Sequence, residues 1–124
     1  MVLTSAAVLC LAANIYHEAR GEPVDGQIAV AQVTLNRVAS PRYPDRVCEV
    51  VHDPYQFTWT LDPQPIRDPE AYALAVYIAQ NLSRFDDLSG GATHYYAPSK
   101  AKPYWRNLLT PVGQIANHRF MLEQ

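Results

Sequence analysis

A polar junction between two apolar stretches constrains this chain most. Leu3 to Ala13 is almost unbroken apolar sequence rich in Ala and Leu, and Ile28 to Val38 is apolar except at Gln32, Thr34, Asn36 and Arg37. Between them runs Asn14-Ile15-Tyr16-His17-Glu18-Ala19-Arg20-Gly21-Glu22-Pro23-Val24-Asp25-Gly26-Gln27. Two such stretches must pack inward as helices, and Gly21 and Pro23 place the break between them. If the first helix continued instead, Glu18 and Glu22 would lie one turn apart on a shared face. A carboxylate in the last turn of a buried helix meets the negative end of the dipole and loses water. Both effects raise its pKa, which a general acid working near neutral pH requires.

The remaining pattern predicts a mainly helical α+β chain. The first helix runs from about Thr4 to Ala19 with Thr4 or Ser5 as cap, and being apolar nearly all round it should occupy the centre. The second starts near Asp25 or Gly26, carries Ile28, Ala31, Leu35 and Val38 at helical spacing, and ends at Ser40-Pro41. Cys48 to Val51 suits a helical turn or a short strand. Prolines at 54, 63 and 65 forbid a long element from His52 to Arg67, although Gln56 to Thr60 alternates like a strand. A third helix is predicted from Pro69 to about Arg84, capped by Asp68, with Ala71, Leu74, Ala75, Ile78 and Leu82 on one face. Ala92–Ala97 and Asn117–Leu122 read as strands.

At 124 residues without repeat or linker, residues 1–124 read as one domain large enough to fold alone. With 48% hydrophobic and 18% charged residues the chain is globular in composition. A net charge of -2 supplies no pull toward nucleic acid or anionic membrane, so neither is expected as a partner. Val2 to Ala13 lacks a basic leader region and is too short to span a bilayer, so it reads as a core helix rather than a signal peptide. Any role outside the cytoplasm then needs a phage-type release route or a leader already trimmed. Cys10, set in Ala-Val-Leu-Cys-Leu-Ala, behaves as a small buried hydrophobe, and Cys10 and Cys48 are expected to be free thiols.

Glu18 is the leading chemical candidate, flanked by Tyr16, His17 and Arg20; the alternative is an exposed carboxylate paired with Arg20. Glu22 is either a second acid or base or a turn residue. His17-Glu18 begins like the zinc protease signature, but Gly21 stands where its second histidine belongs, and His52, His94 and His118 lack ligand spacing. No metal or other cofactor is expected. Tyr55, Phe57, Trp59, Tyr95, Tyr96, Tyr104 and Trp105 fall in irregular segments that should surround the end of the first helix. Polar-tipped rings there suit the faces and hydroxyls of sugars, while some serve as core.

Cys10 to Glu22, Gly26 to Ala31 and Leu35 to Val38 together resemble the cell wall hydrolase family of the spore cortex-lytic enzyme type. Val47 to Val51, Gln56 to Trp59, Gly91 to Tyr95, Pro103 to Trp105 and His118 to Phe120 extend the likeness along nearly the whole chain. The resemblance implies a lysozyme-like fold related to lytic transglycosylases, acting on peptidoglycan glycan strands. It places the catalytic glutamate on Glu18, protonating the bond between N-acetylmuramic acid and N-acetylglucosamine and then acting as base. It also implies that His94 and Tyr95 line the cleft, with Gln56, Trp59 and Trp105 as substrate-binding residues. Many members carry histidine where this chain has Tyr96, and Tyr96 is expected among the substrate-binding residues.

Three functions follow from these readings. The first is a peptidoglycan glycosidase working as a monomer, forming a 1,6-anhydro sugar through Glu18 alone or hydrolysing through Glu18 and Glu22. The second is a peptidoglycan-binding module without activity. The third is a zinc or thiol peptidase cutting the peptide stem.

Overall fold

Thr4 starts the first helix: its hydroxyl accepts a hydrogen bond from the Ala7 amide at 3.1 Å, satisfying a donor that the helix leaves free. The computed structural model describes residues 3–53 and 56–123. In order these form α1 (Ser5–Ala19), α2 (Val24–Val38), α3 (Val47–Val51), a 3-10 turn (Thr58–Thr60) and α4 (Pro69–Asn81), which tightens into a second 3-10 turn (Leu82–Arg84). There follow β1 (His94–Tyr96), a 3-10 turn (Tyr104–Asn107), β2 (Thr110–Ile115) and β3 (His118–Leu122). The strands make one antiparallel sheet in the order β1-β3-β2.

The centre belongs to α2 and not to α1. Gly26 through Thr34 and Arg37 are all buried, whereas Ser5, Ala6 and Leu9 at the start of α1 are exposed. One side of α2 sets Ile28 and Ala31 among Leu11, Ile15, Val51 and Ile78 of the other helices. Its other side sets Ala29, Val30 and Val33 against Ala92 and Phe120 beside the sheet. Only a helix sandwiched between two layers must be apolar on both faces.

The polar residues of α2 fasten the loop that leads into β1. Gln32 accepts from the Leu88 and Ser89 amides and donates to the Asp86 carbonyl, at 2.9, 3.2 and 2.8 Å. Asn36 donates to the Ala92 carbonyl at 2.8 Å, and Arg37 Nε donates to the Thr93 carbonyl at 2.7 Å. These bonds satisfy backbone groups that would otherwise be buried unpaired. Gly90 turns within this loop at φ +65°, and a Cβ there would stand 3.2 Å from Val112 Cβ.

Cys10 and Cys48 form a disulfide with Cα atoms 5.4 Å apart, which overturns the expectation of free thiols. Cys10 lies at the edge of the buried stripe of α1, facing α3, of which Cys48 is the second residue. Gln56–Thr60 is not a strand: Phe57 is buried, the chain coils into a 3-10 turn, and the segment pairs with none of the three described strands. Asp68 caps α4 through the Ala71 amide at 3.0 Å. The unforeseen strand is β2, whose Pro111 and Gly113 argue against strand structure. It lies at the sheet edge with its register shifted between them, where a missing donor is tolerated.

Candidate active site

Glu18 stands in the last turn of α1, facing the sheet. Arg20 closes the helix through its amide to the Tyr16 carbonyl, and the Glu22 amide then bonds the Ala19 carbonyl at 2.9 Å. Because the helix stops there, Glu18 and Glu22 share no helical face. Arg20 turns back on Tyr16, its guanidinium 4.8 Å from that ring, and makes no ion pair with Glu18.

Tyr95 of β1 donates its hydroxyl to Glu18 Oε1 at 2.7 Å. The strand is held in reach because Arg37 and Asn36 grip the two residues before His94. Burial pushes the Glu18 pKa above the ordinary carboxylate range, against the opposing pulls of the Tyr95 hydrogen bond and the Arg37 charge. Burial, then the Glu18 charge and hydrogen bond, drive the Tyr95 phenol well above its usual value. Tyr95 therefore stays a donor, and burial shifts Glu18 toward its protonated form.

Glu22 is otherwise engaged. It accepts from the Asn117 amide and side chain at 3.2 and 2.9 Å, and His118 Nδ1 lies 3.7 Å away. These contacts pin the β2–β3 turn, where Ala116 adopts φ +48°, a strained conformation for a residue with a Cβ. Burial lowers the His118 pKa, opposed by the Glu22 charge and assisted by Lys100.

Two cavities of about 620 and 530 Å³ meet along this site, and Glu18 and Tyr95 line both. The larger is walled also by Glu22, Tyr96, Lys100 and His118; the smaller by Arg37, Gln56, His94, Tyr104 and Trp105. Gln56 is tied to Arg37 at 3.0 Å, and Trp105 tilts against His94 with ring centroids 4.9 Å apart. Burial lowers the His94 pKa, with the Arg37 charge acting the same way, so its ring is neutral at neutral pH. Trp59 lines neither cavity: its indole N–H donates to buried Asn14 at 2.8 Å and its ring stacks on His17, 4.6 Å between centroids. Phe57 is core, and Tyr55 lies outside the described residues. Among the described residues no three His, Cys, Asp or Glu side chains converge as a metal site, and no helix is long and apolar enough to cross a membrane.

Arg37, Asn117, His118 and Lys100 escaped the sequence reading as site residues. Arg37 left a trace there: a cation on an apolar helix is rarely buried without specific partners. It has them, in Thr93, Gln56 and the Tyr43 ring 5.1 Å away.

A cell wall hydrolase family model matches residues 21–121. The chain belongs to the cell wall hydrolase family. The matched span opens just after Glu18. Among relatives of this family member, the spore cortex-lytic enzyme of Halalkalibacterium halodurans is 42% identical over 111 residues, covering 89% of this chain and 33% of that protein. That of Bacillus subtilis strain 168 is 36% identical over 110 residues, covering 89% and 35%. The chain thus spans about a third of the length of these relatives. Among solved structures, the catalytic domain of the germination-specific lytic transglycosylase SleB from Bacillus anthracis superposes with a TM-score of 0.80 at 29% identity, covering 96% of both chains. The catalytic domain of the Bacillus cereus SleB protein gives 0.77 at 36% identity, covering 96% of this chain and 92% of that one. The mainly helical, lysozyme-like α+β architecture expected from the sequence holds for this cell wall hydrolase.

Proposed function

We propose that this cell wall hydrolase is a lytic transglycosylase, cleaving the β-1,4 bond from N-acetylmuramic acid to N-acetylglucosamine in peptidoglycan, with Glu18 as acid and then base. The observation that carries this is the Glu18–Tyr95 pair: one carboxyl, raised in pKa by burial, fixed by a 2.7 Å hydrogen bond where two cavities meet. A glycan strand laid through both cavities brings a glycosidic oxygen to that carboxyl. Protonation of the oxygen releases the leaving sugar, and the carboxylate so formed takes the proton of the attacking hydroxyl.

The muramic 6-hydroxyl is the nucleophile in this reading. Hydrolysis by the two-carboxylate route needs a second acid free to activate water, and Glu22 is held through both oxygens by Asn117. An internal hydroxyl is already positioned and needs no such group. Gln56, His94, Tyr96 and Trp105 line the walls that would meet the sugars, whereas Trp59 acts through His17. All of this belongs to a single catalytic domain working as a monomer on the bacterial cell wall. The SleB neighbours and the spore cortex-lytic relatives support the substrate class.

Mass spectrometry of muropeptides released from purified peptidoglycan tests the proposal. Products one water lighter than the reducing-end species, formed by the wild type and cut at least ~100-fold in Glu18→Gln, are the expected result. Reducing-end muramic acid would return Glu22 to the role of second carboxylate. Stem peptides cut from intact glycan would overturn the assignment.

A further inference from the structure

Leu88 to Leu122 contains Lys100, Lys102, Arg106 and Arg119 and no Asp or Glu, in a chain whose net charge is -2. Three of these cations meet at a third cavity of about 260 Å³, lined by Tyr96, Ala101, Lys102, Arg106 and Arg119 with Pro98. Tyr96 and Ala101 also line the larger cavity beside Glu18, where Lys100 stands. None of the four cations has a carboxylate partner among the described residues. Both guanidiniums are nevertheless held in place. Arg106 Nη1 donates to the Lys102 and Pro103 carbonyls, each at 3.0 Å, and Arg119 donates to the Tyr96 hydroxyl at 3.2 Å and to Gln114 at 3.4 Å. Their acceptors are neutral, so the positive charge stays uncompensated while its geometry is partly set.

Like charges gathered at one mouth repel one another, and an arriving anion relieves that repulsion. We propose that this cationic end of the cleft binds carboxylates of the peptide stems that muramic residues carry. The inference rests on the glycan-cleaving reading and extends its substrate from bare glycan to peptide-bearing glycan. A small cavity continuous with the glycan site suits a carboxylate that hangs from the same strand. Phosphodiester wall polymers present similar charge, and the test separates them.

Binding is measured in the Glu18→Gln background, so that nothing is cleaved, with soluble glycan fragments carrying stem peptides, fragments stripped of them by an amidase, and peptide-free fragments bearing phosphodiester polymer. Exposed ion pairs are worth up to about 1 kcal/mol each, so adding Lys102→Gln and Arg106→Gln should raise Kd for peptide-bearing fragments roughly 3- to 10-fold. Binding of stripped fragments should be unchanged, and the difference should shrink as salt rises from about 0.05 to about 0.5 M. Lys102→Gln alone and Arg106→Lys, each with its fold checked by circular dichroism, provide independent arms; the first should show part of the loss and the second little of it. Equal weakening on stripped fragments, no weakening on either, or a loss confined to phosphodiester-bearing fragments overturns the proposal. Absence of muropeptide release by the wild type would instead refute the catalytic reading, because these affinities are read without turnover.

Discussion

Replacing Tyr95 with Phe removes one oxygen atom and tests how Glu18 works. The ring contacts persist, since Phe retains the packing against His118 and Phe120, whose centroids lie 5.0 and 5.9 Å away. What is lost is the 2.7 Å hydrogen bond to Glu18 Oε1. When Glu18 is protonated that bond joins two neutral groups, worth about 0.5 to 1.5 kcal/mol; as the proton leaves, it becomes charge-assisted, worth about 1.5 to 3 kcal/mol. The difference, roughly 1 to 1.5 kcal/mol, is gained only as charge develops in the transition state, so its loss should lower kcat about 5- to 13-fold with little change in KM. The same bond lowers the Glu18 pKa, so its removal raises that pKa and moves the alkaline limb of the rate profile to higher pH. Muropeptide release followed from acid to alkaline pH, with thermal unfolding as the control for folding, measures both effects. An unchanged kcat, or an alkaline limb moved to lower pH, would refute the reasoning.

Three further outcomes are expected. Because burial raises the folded-state pKa of Glu18, the stability it leaves intact at acid pH is lost as pH rises through that pKa; Glu18→Gln should melt above the wild type at neutral pH, and the gap should close below about pH 4. The Cys10–Cys48 link, with a sequence separation of 38, removes chain entropy worth about 4 kcal/mol, so the Cys10→Ala, Cys48→Ala double variant should melt roughly 10 to 15 °C lower by calorimetry. Arg37→Met should leave the Thr93 carbonyl and Gln56 without a partner, costing roughly 3 kcal/mol in a urea titration and lowering activity in whatever fraction stays folded, because Tyr95 loses its anchor.

The local signals in this chain were read best where one residue answers to its neighbours in sequence. The Thr4 and Asp68 caps, the break after Ala19 and the apolar face of α4 depend on spacing and backbone chemistry within a few residues, and each stands as predicted. The strand at Gln56–Thr60 failed because alternation states what a strand needs and not whether the chain path brings the segment alongside a partner. The expectation of free thiols at Cys10 and Cys48 failed similarly, since a thiol in an apolar helix looks the same whether its neighbour is Leu or Cys. Pro111 and Gly113 hid β2 because their cost depends on whether the strand lies at an edge.

The candidate site divides along the same line. Sequence alone determined that a carboxylate would end an apolar helix at Glu18, and that aromatic and polar residues would collect in the segments around it. Its other half was decided by tertiary structure: Arg37 and Asn36 on a doubly covered α2 seize the carbonyls before β1, and so bring Tyr95 within 2.7 Å of a residue 77 positions earlier. The same packing sends Glu22 to the Asn117 turn instead of to its neighbour Glu18. A hydrogen bond across such a separation leaves no period or spacing in the sequence, because its partners are chosen by which layers stack and not by which residues adjoin.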